Sequence, residues 1–258
     1  MQSGIYLFTF FDVGVFTLQK LLLLILWTCI FLNNAIANPI TLLSTNTSVP
    51  KETIFYASIF DSVCTTKTSY KIDPVWTQEV ADQLPAWRRL WDQEGTLLLK
   101  TTIKLIDRSF AQQNFQVSLS LCSFPSMSAP LIINTRYALQ SFTDHPIPDY
   151  VFISTIYHEL LHNYIDSFLP KNTPLLKKYR SESKGVLNHL HLFALEKAVY
   201  LQLGWQSKLQ KIIVKDESLP NNDYKRAWEI VNKKENYKDF ILELKSFDKS
   251  KVLDPSEI

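Results

Sequence analysis

The sequence predicts an α+β fold, with a small amino-terminal sheet followed by a mainly helical carboxy-terminal part. Two observations carry this prediction. Segments with the two-residue alternation or the β-rich composition of strands lie between residues 53 and 139, whereas from residue 149 onward the apolar positions recur with helical spacing. An apolar content of 46% is enough to build a hydrophobic core, which excludes a largely disordered chain.

The amino-terminal half contains the predicted strands and two predicted helices. In chain order they are a strand at 53–60, helices at 76–91 and 96–110, and strands at 115–124 and 131–139. Pro85 predicts a break or kink in the first helix, because proline lacks the backbone N–H that a helix interior uses. The tryptophans at helical spacing in that helix are expected to belong to the core: Trp76, Trp87 and Trp91.

The carboxy-terminal half is predicted to consist of helices. The first spans residues 150–168 and has no internal glycine or proline. A polar, lysine-rich loop at 171–183 separates it from a second apolar helix at 185–203, which ends at Gly204. From about Ser207 the pattern predicts two or three amphipathic helices whose lysines form a solvated face.

Residues 1–37 have the features of an export signal. Lys20 precedes a nearly continuous apolar run at 21–32, which is shorter than the roughly 20 residues of a membrane-spanning helix. A small-x-small site follows this run and predicts cleavage after Ala37. Since an apolar stretch also precedes Lys20, we expect that translation starts inside that stretch, near Leu18.

Cleavage after Ala37 leaves residues 38–258, which we interpret as a single domain because no repeat or linker divides them. The mature protein is then expected to be exported, either periplasmic or secreted, without stable insertion in a membrane. The alternative is an uncleaved signal that anchors the protein to the membrane. The two cysteines that remain, Cys64 and Cys122, would form a disulfide in an oxidising compartment or persist as buried thiols.

The charge balance argues against a dedicated nucleic-acid binder. The chain has 27 basic and 25 acidic residues, a formal net charge of +2, and so lacks the basic excess that neutralises phosphates. Three cysteines in 258 residues also exclude a small disulfide scaffold. Four of the five histidines lie close together, in or near the two apolar helices: His158, His162, His189 and His191.

The sequence at 158–162, HELLH, is an H-E-x-x-H motif in the middle of the first apolar helix. His158 and His162 are four residues apart, so they lie one turn apart on the same helical face and can converge on one metal ion. Glu159 is too close in sequence to bind the same ion in the usual geometry, but it can reach a water at the metal and act as general base. The motif therefore predicts a catalytic metal site.

On these residues, HELLH at 158–162 followed by Asp166, the chain resembles the zincin metallopeptidases, either their gluzincin branch or an uncharacterised exported relative. The resemblance implies a zincin-like fold for residues 38–258, a bound Zn²⁺ and a peptide or protein substrate. It also implies that Asp166 supports a zinc-ligating histidine. The chain departs from the metzincin branch, since Ile165 and Phe168 stand where that branch has a glycine and a third histidine.

Three residues of the second apolar helix are candidates for the third metal ligand. His189 is the first choice, and it shares a helical face with Glu196 and Tyr200. Glu196 is the second, because gluzincins use a glutamate from a later helix. His191 is the third, since it lies on an apolar stripe, where a histidine is more often a satisfied core residue. If Glu196 is not a ligand, we expect it to orient His189 or to hold substrate.

A zincin also needs a group that stabilises the oxyanion formed from the substrate carbonyl. Tyr200, on the His189 face, is our candidate for this catalytic role, and Tyr157 and His145 are alternatives. The resemblance further implies that substrate pairs with an edge strand above the cleft, and the strand at 131–139 is expected to be that edge.

These observations predict an exported zinc-dependent hydrolase, in particular a peptidase, with Glu159 as general base. The alternative is a non-catalytic zincin-like metal-binding protein of the cell envelope. A third hypothesis is a structural envelope protein in which the motif is fortuitous. The sequence does not determine the substrate, the cleavage preference or the oligomeric state.

Overall fold

A computed structural model of the protein describes residues 48–247. The predicted signal at 1–37 and its cleavage site lie outside these residues. Within the described part, no helix is both long enough and apolar enough to cross a membrane.

The described chain has the α+β architecture that the sequence predicts, with a mixed four-stranded sheet followed by a mainly helical part. The strands are β1 (Lys51–Tyr56), β2 (Asn114–Ser120), β3 (Met127–Ser128) and β4 (Leu131–Asn134). Three helices lie between β1 and β2 in the chain: α1 (Ser58–Thr68), α2 (Pro74–Leu90) and α3 (Thr96–Ile106). The helices that follow it are α4 (Asp149–Asp166), α5 (Pro174–Lys178), α6 (Lys184–Gln202), α7 (Gln206–Glu217), α8 (Asn222–Asn232) and α9 (Tyr237–Ser246).

The sheet has the strand order β1-β2-β4-β3, with β1, β2 and β4 parallel and β3 antiparallel to β4. The strand β2 is central, and its apolar residues Val117 and Leu119 are fully buried. Because β4 has neighbours on both sides, the prediction that 131–139 forms the edge strand is wrong; the edge strands are β1 and β3. Sequence alternation identifies a strand, but it does not specify which neighbours the strand pairs with.

The predicted strand at 131–139 also ends early, at Asn134. The side chain of Asn134 donates a hydrogen bond to the carbonyl of Phe124 (2.7 Å) and accepts one from the backbone N–H of Arg136 (3.2 Å). These bonds turn the chain into a short 3₁₀ helix at Arg136–Ala138. An asparagine that binds the backbone two residues onward is a frequent way to end an extended segment.

The predicted strand at 53–60 is likewise only partly correct, because the chain becomes helical at Ser58. Asp61, in the first turn of α1, is buried and accepts hydrogen bonds from the hydroxyls of Tyr56 and Ser120 (both 2.6 Å) and from the backbone N–H of Leu121. A buried carboxylate needs such partners, and these partners fix α1 against the end of β2.

The break expected at Pro85 does not occur, since α2 continues to Leu90. Pro85 lies on the exposed side of α2, where the carbonyl that loses its backbone partner can bind water. A π-helical turn at Trp91–Gly95 follows instead. Trp87 and Trp91 are 1% and 2% exposed, in agreement with their predicted place in the core.

A disulfide joins Cys64 of α1 to Cys122, just beyond β2, with the two Cα atoms 6.1 Å apart. It closes a separation of 58 residues and ties the first helix to the central strand. A bridge of this kind is typical of proteins that fold in oxidising compartments.

Glu52 of β1 makes the stability of the fold sensitive to pH. One carboxylate oxygen accepts a hydrogen bond from the indole N–H of Trp91 (3.1 Å), and the other is buried with no hydrogen-bond partner among the described residues. Burial raises the pKa of Glu52 from 4.5 to about 7. The fold therefore favours the neutral acid, and the stability that this preference contributes is complete below about pH 4.5 and is lost as the pH rises through about 7.

Glu52→Gln, which keeps the shape of the neutral acid, is expected to stabilise the protein by about 1 kcal/mol at pH 8 and to have little effect at pH 4.5. The full shift would be worth about 3 kcal/mol, but partial exposure of the side chain reduces it. Urea unfolding at the two pH values measures the difference. Glu79→Gln is the matched control, because burial acts to raise the pKa of Glu79 but the hydrogen bonds from Ser141 and Gln140 together lower it. A stabilisation by Glu52→Gln that does not change with pH would contradict the prediction.

Candidate metal centre

The HELLH segment lies on α4, as the sequence predicts. The helix begins directly after Pro148, carries Asp149 in its first turn and continues without interruption to Asp166. His158 and His162 project from the same face, with their ring centroids 5.0 Å apart. Their side of α4 faces α6.

His189 of α6 completes a cluster of three histidines. Its ring centroid lies 5.3 Å from that of His158 and 5.0 Å from that of His162. The potential ligand nitrogens of the three residues all lie within 4.8 Å of one another. His158 and His189 are 8% and 9% exposed, and His162 is partly exposed. His189, our first candidate for the third ligand, thus lies beside the HELLH motif, and the three histidines could bind a metal ion.

The hydrogen bonding of His189 favours a metal ligand. Its Nδ1 lies 2.7 Å from the carbonyl of Gly185, one turn earlier in α6. Since a carbonyl only accepts, Nδ1 carries the proton and Nε2 carries a lone pair. This Nε2 is buried and has no hydrogen-bond partner among the described residues. An unpartnered buried nitrogen is unfavourable, and a metal ion at the centre of the triad would satisfy it.

Glu196, the second candidate ligand, lies behind His158. Its Oε2 is 3.8 Å from His158 Nδ1, and its Oε1 accepts a hydrogen bond from the hydroxyl of Ser154 (3.0 Å). The carboxyl is 1% exposed, and Oε2 has no hydrogen-bond partner in the described chain. At 3.8 Å this contact is longer than a hydrogen bond, but it places a carboxyl group beside Nδ1 of His158. Glu196 thus faces His158 rather than His189, the residue that we expected it to orient.

The three imidazoles are neutral at physiological pH, which metal binding requires. Burial lowers the pKa of His158 well below its usual value, and repulsion from His189 lowers it further. Burial and the neighbouring His158 lower the pKa of His162 to about 3. Burial also lowers the pKa of His189, although its bond to the Gly185 carbonyl acts in the opposite direction.

Glu159 lines a cavity of about 180 Å³ next to His158. Its side chain is 7% exposed, and burial raises its pKa to about 7, against a smaller opposite effect of Lys215. A carboxyl group with a pKa near the ambient pH can both accept and return a proton. The cavity is lined by Pro125, Ser126, Val151, Ser154, Thr155, His158, Glu159, Glu196, Ile212, Lys215, Asp216, Leu219 and Tyr224.

Two predicted site residues have other partners. His191, the third candidate ligand, points away from the triad, and its Nε2 lies 2.6 Å from Oε2 of the buried Glu243. Asp166, expected to support a ligating histidine, is exposed and pairs with Lys171. Asp166 lies one turn beyond His162, where α4 has already reached the surface.

The residues considered for oxyanion stabilisation do not line the cavity. Tyr200 is 2% exposed, and its ring packs near those of Tyr157 and Trp205. The hydroxyl of Tyr157 shares a 2.6 Å hydrogen bond with Thr102 in the core. His145 is exposed in the loop before α4.

Tyr224 of α8 lies beside His158 and His189, where the sequence predicts Tyr200. Its hydroxyl oxygen is 3.5 Å from His158 Nε2, and its ring centroid is 4.4 Å from that of His189. Burial raises the pKa of Tyr224 well above its usual value, so the hydroxyl keeps its proton and can donate it in a hydrogen bond. No motif marks Tyr224 in the sequence, because it comes from a lysine-rich segment that reads only as an amphipathic helix.

A hydrogen bond connects the edge strand β3 to α4, the helix that carries HELLH. The side-chain amide of Asn163 in α4 donates a 2.8 Å hydrogen bond to the carbonyl of Ser128 in β3. Ser126, directly before β3, lines the cavity, and its hydroxyl oxygen accepts a 3.1 Å hydrogen bond from the backbone N–H of Asn134. Pro125 and Ser126, which lead into β3, therefore form one wall of the cavity.

No protein-family model, curated protein or solved structure matches this chain. The resemblance to zincins stays a prediction from the HELLH segment and Asp166.

Proposed function

We propose that the protein is an exported zinc-dependent hydrolase of the zincin type that acts on peptide bonds. The observation that carries this proposal is the triad of His158, His162 and His189, together with a cavity that His158 and Glu159 line. Three neutral imidazoles form a donor set that suits zinc and leaves a coordination position open for catalysis. The predicted signal and the disulfide support export.

When bound, zinc supplies a Lewis acid that acidifies water and polarises a carbonyl group. Glu159 then takes a proton from the attacking water and delivers it to the leaving amine, two steps for which a pKa near 7 is suitable. Glu196 holds His158 in one orientation by its contact with Nδ1. The apolar surroundings of the triad limit access of bulk water.

A direct test is hydrolysis of a broad peptide library by the purified protein. We expect cleavage that is lost with a zinc chelator and restored by added zinc. A protein that retains one zinc per chain but cleaves no peptide would favour the alternative, a non-catalytic metal-binding protein of the envelope. The feature that favours catalysis is Glu159 in the cavity, since metal binding alone does not need it.

Tyr224 is proposed to donate a hydrogen bond to the oxyanion of the substrate. We expect Tyr224→Phe to lower kcat by about 100-fold with little change in zinc content, because the donor acts mainly in the transition state. Steady-state kinetics on the best library peptide measures the effect. Tyr200→Phe is the comparison, and a larger loss of kcat in this variant than in Tyr224→Phe would contradict the assignment.

A further inference from the structure

Among the described residues that line the cavity beside Glu159, one is a lysine or arginine: Lys215 of α7. The Lys215 side chain is 37% exposed, and its ammonium lies 3.2 Å from Oδ1 of Asp216. An ammonium has three donors, and this contact uses one of them. Lys215 also acts on the side of the cavity formed by Glu159 and Glu196. Burial raises the pKa values of these two carboxyl groups, and the positive charge of Lys215 lowers them.

Asp216 holds Lys215 in place. Its carboxyl is 4% exposed, and its Oδ2 accepts a 3.0 Å hydrogen bond from the indole N–H of Trp228, which itself is fully buried. Trp228 stacks on Phe193 of α6, with ring centroids 4.2 Å apart. The lysine is thus anchored through Asp216 to the core of the helical part, and within residues 48–247 its remaining donors have no hydrogen-bond partner.

The size and lining of the cavity limit what can bind there. Its volume of about 180 Å³ equals roughly six water molecules and is below the roughly 300–1,000 Å³ of drug-sized sites. Val151, Ile212 and Leu219 give it an apolar part. This space suits a single residue better than an extended segment of polypeptide.

We propose that Lys215 binds a carboxylate of the substrate residue on the leaving-group side, so that the enzyme prefers peptides with a negative charge one residue from the cleaved bond. This inference rests on the proposed hydrolase function. The carboxylate can come from the chain terminus, which would make the enzyme an exopeptidase, or from an acidic side chain. A hydrogen bond to a charged group is worth enough to change kcat/KM by about 10- to 100-fold.

Three substrates distinguish a terminal carboxylate from the carboxylate of an acidic side chain: N-benzoyl-Gly-Leu, its carboxamide, and N-benzoyl-Gly-Asp carboxamide. We expect the wild type to cleave at least one carboxylate-bearing peptide about 10-fold or more better than the Leu carboxamide. Preference for the first substrate assigns the terminal carboxylate, and preference for the third assigns an acidic side chain. Equal kcat/KM for all three peptides would overturn the proposal and leave the hydrolase function intact.

Variants connect this preference to Lys215. Lys215→Met is expected to abolish it and Lys215→Arg to retain it, because arginine keeps both the charge and the contact with Asp216. Lys211→Met is the matched control, since Lys211 lies one turn earlier on the exposed side of α7 and does not line the cavity. If Lys215→Met does not fold, Lys215→Gln, which removes the charge but keeps a polar side chain, takes its place and is likewise expected to abolish the preference.

A binding measurement separates this inference from the hydrolase function. Calorimetry on the metal-free protein compares N-acetyl-leucine and N-acetyl-aspartate α-amide with N-acetyl-leucinamide. Carboxylate-selective binding that Lys215→Met removes would support the inference even if no peptide is cleaved. Peptide cleavage without such selectivity would refute the inference alone, and the absence of both cleavage and selectivity would refute both proposals.

Discussion

Glu159→Gln is expected to lower kcat for peptide hydrolysis by about 10²- to 10⁴-fold while zinc remains bound. Glutamine preserves the size of the side chain but cannot accept the proton of the attacking water. The three histidines are expected to keep their positions, since Glu159 takes no part in the hydrogen bond of His189 to Gly185 or in the contact of His158 with Glu196. Steady-state kinetics measures kcat, and elemental analysis of the same sample measures zinc.

The control for this variant is Glu217→Gln, which removes an exposed carboxylate from α7 outside the cavity. We expect its kcat and zinc content to match those of the wild type. Undiminished hydrolysis by Glu159→Gln with one zinc per chain would refute the proposed role of Glu159 as general base. Loss of zinc in this variant would show instead that Glu159 contributes to the metal site itself.

The second large effect is expected from His189→Ala, which should weaken zinc binding by more than about 100-fold. Loss of a residue that only supports a ligand typically costs 10- to 100-fold in affinity, and loss of a ligand costs more. Competition with a chelator of known zinc affinity measures the change. Circular dichroism establishes that the variant is folded, because the substitution also removes a buried ring.

Two further variants test which residue is the third ligand. Glu196→Gln is expected to weaken zinc binding by about 10- to 100-fold, as for a group that orients His158. His191→Gln, which can keep a hydrogen bond to Glu243, is expected to bind zinc like the wild type. If Glu196→Gln loses more zinc affinity than His189→Ala, Glu196 is the ligand and the assignment of His189 is wrong.

The parts of the site that the sequence could predict are those that depend on one helix at a time. The spacing of His158 and His162 follows from the pitch of α4, and the position of His189 on the inner face of α6 follows from the same periodicity. The exposure of Asp166 and its pairing with Lys171 could not be predicted for a related reason. Periodicity places it on the same face, but it cannot show that α4 reaches the surface at that turn.

The parts that could not be predicted depend on how distant elements dock. Tyr224 and Lys215 come from α8 and α7, whose sequences show amphipathic helices but not the angle at which these helices cross α4 and α6. The order of the strands could not be predicted for the same reason. Alternation of apolar residues identified the segment at 131–139, whereas its interior place follows from pairing with β2 and β3.

The bridge between Cys64 and Cys122 affects how zinc in this protein should be counted. Protein made in a reducing cytosol would carry two free thiols at these positions, and thiolates are strong zinc ligands. Such a preparation offers a second place for the ion, so a ratio of one zinc per chain would no longer identify the histidine triad as its location. Material from an oxidising compartment, with both sulfurs cross-linked, is therefore required for every metal titration.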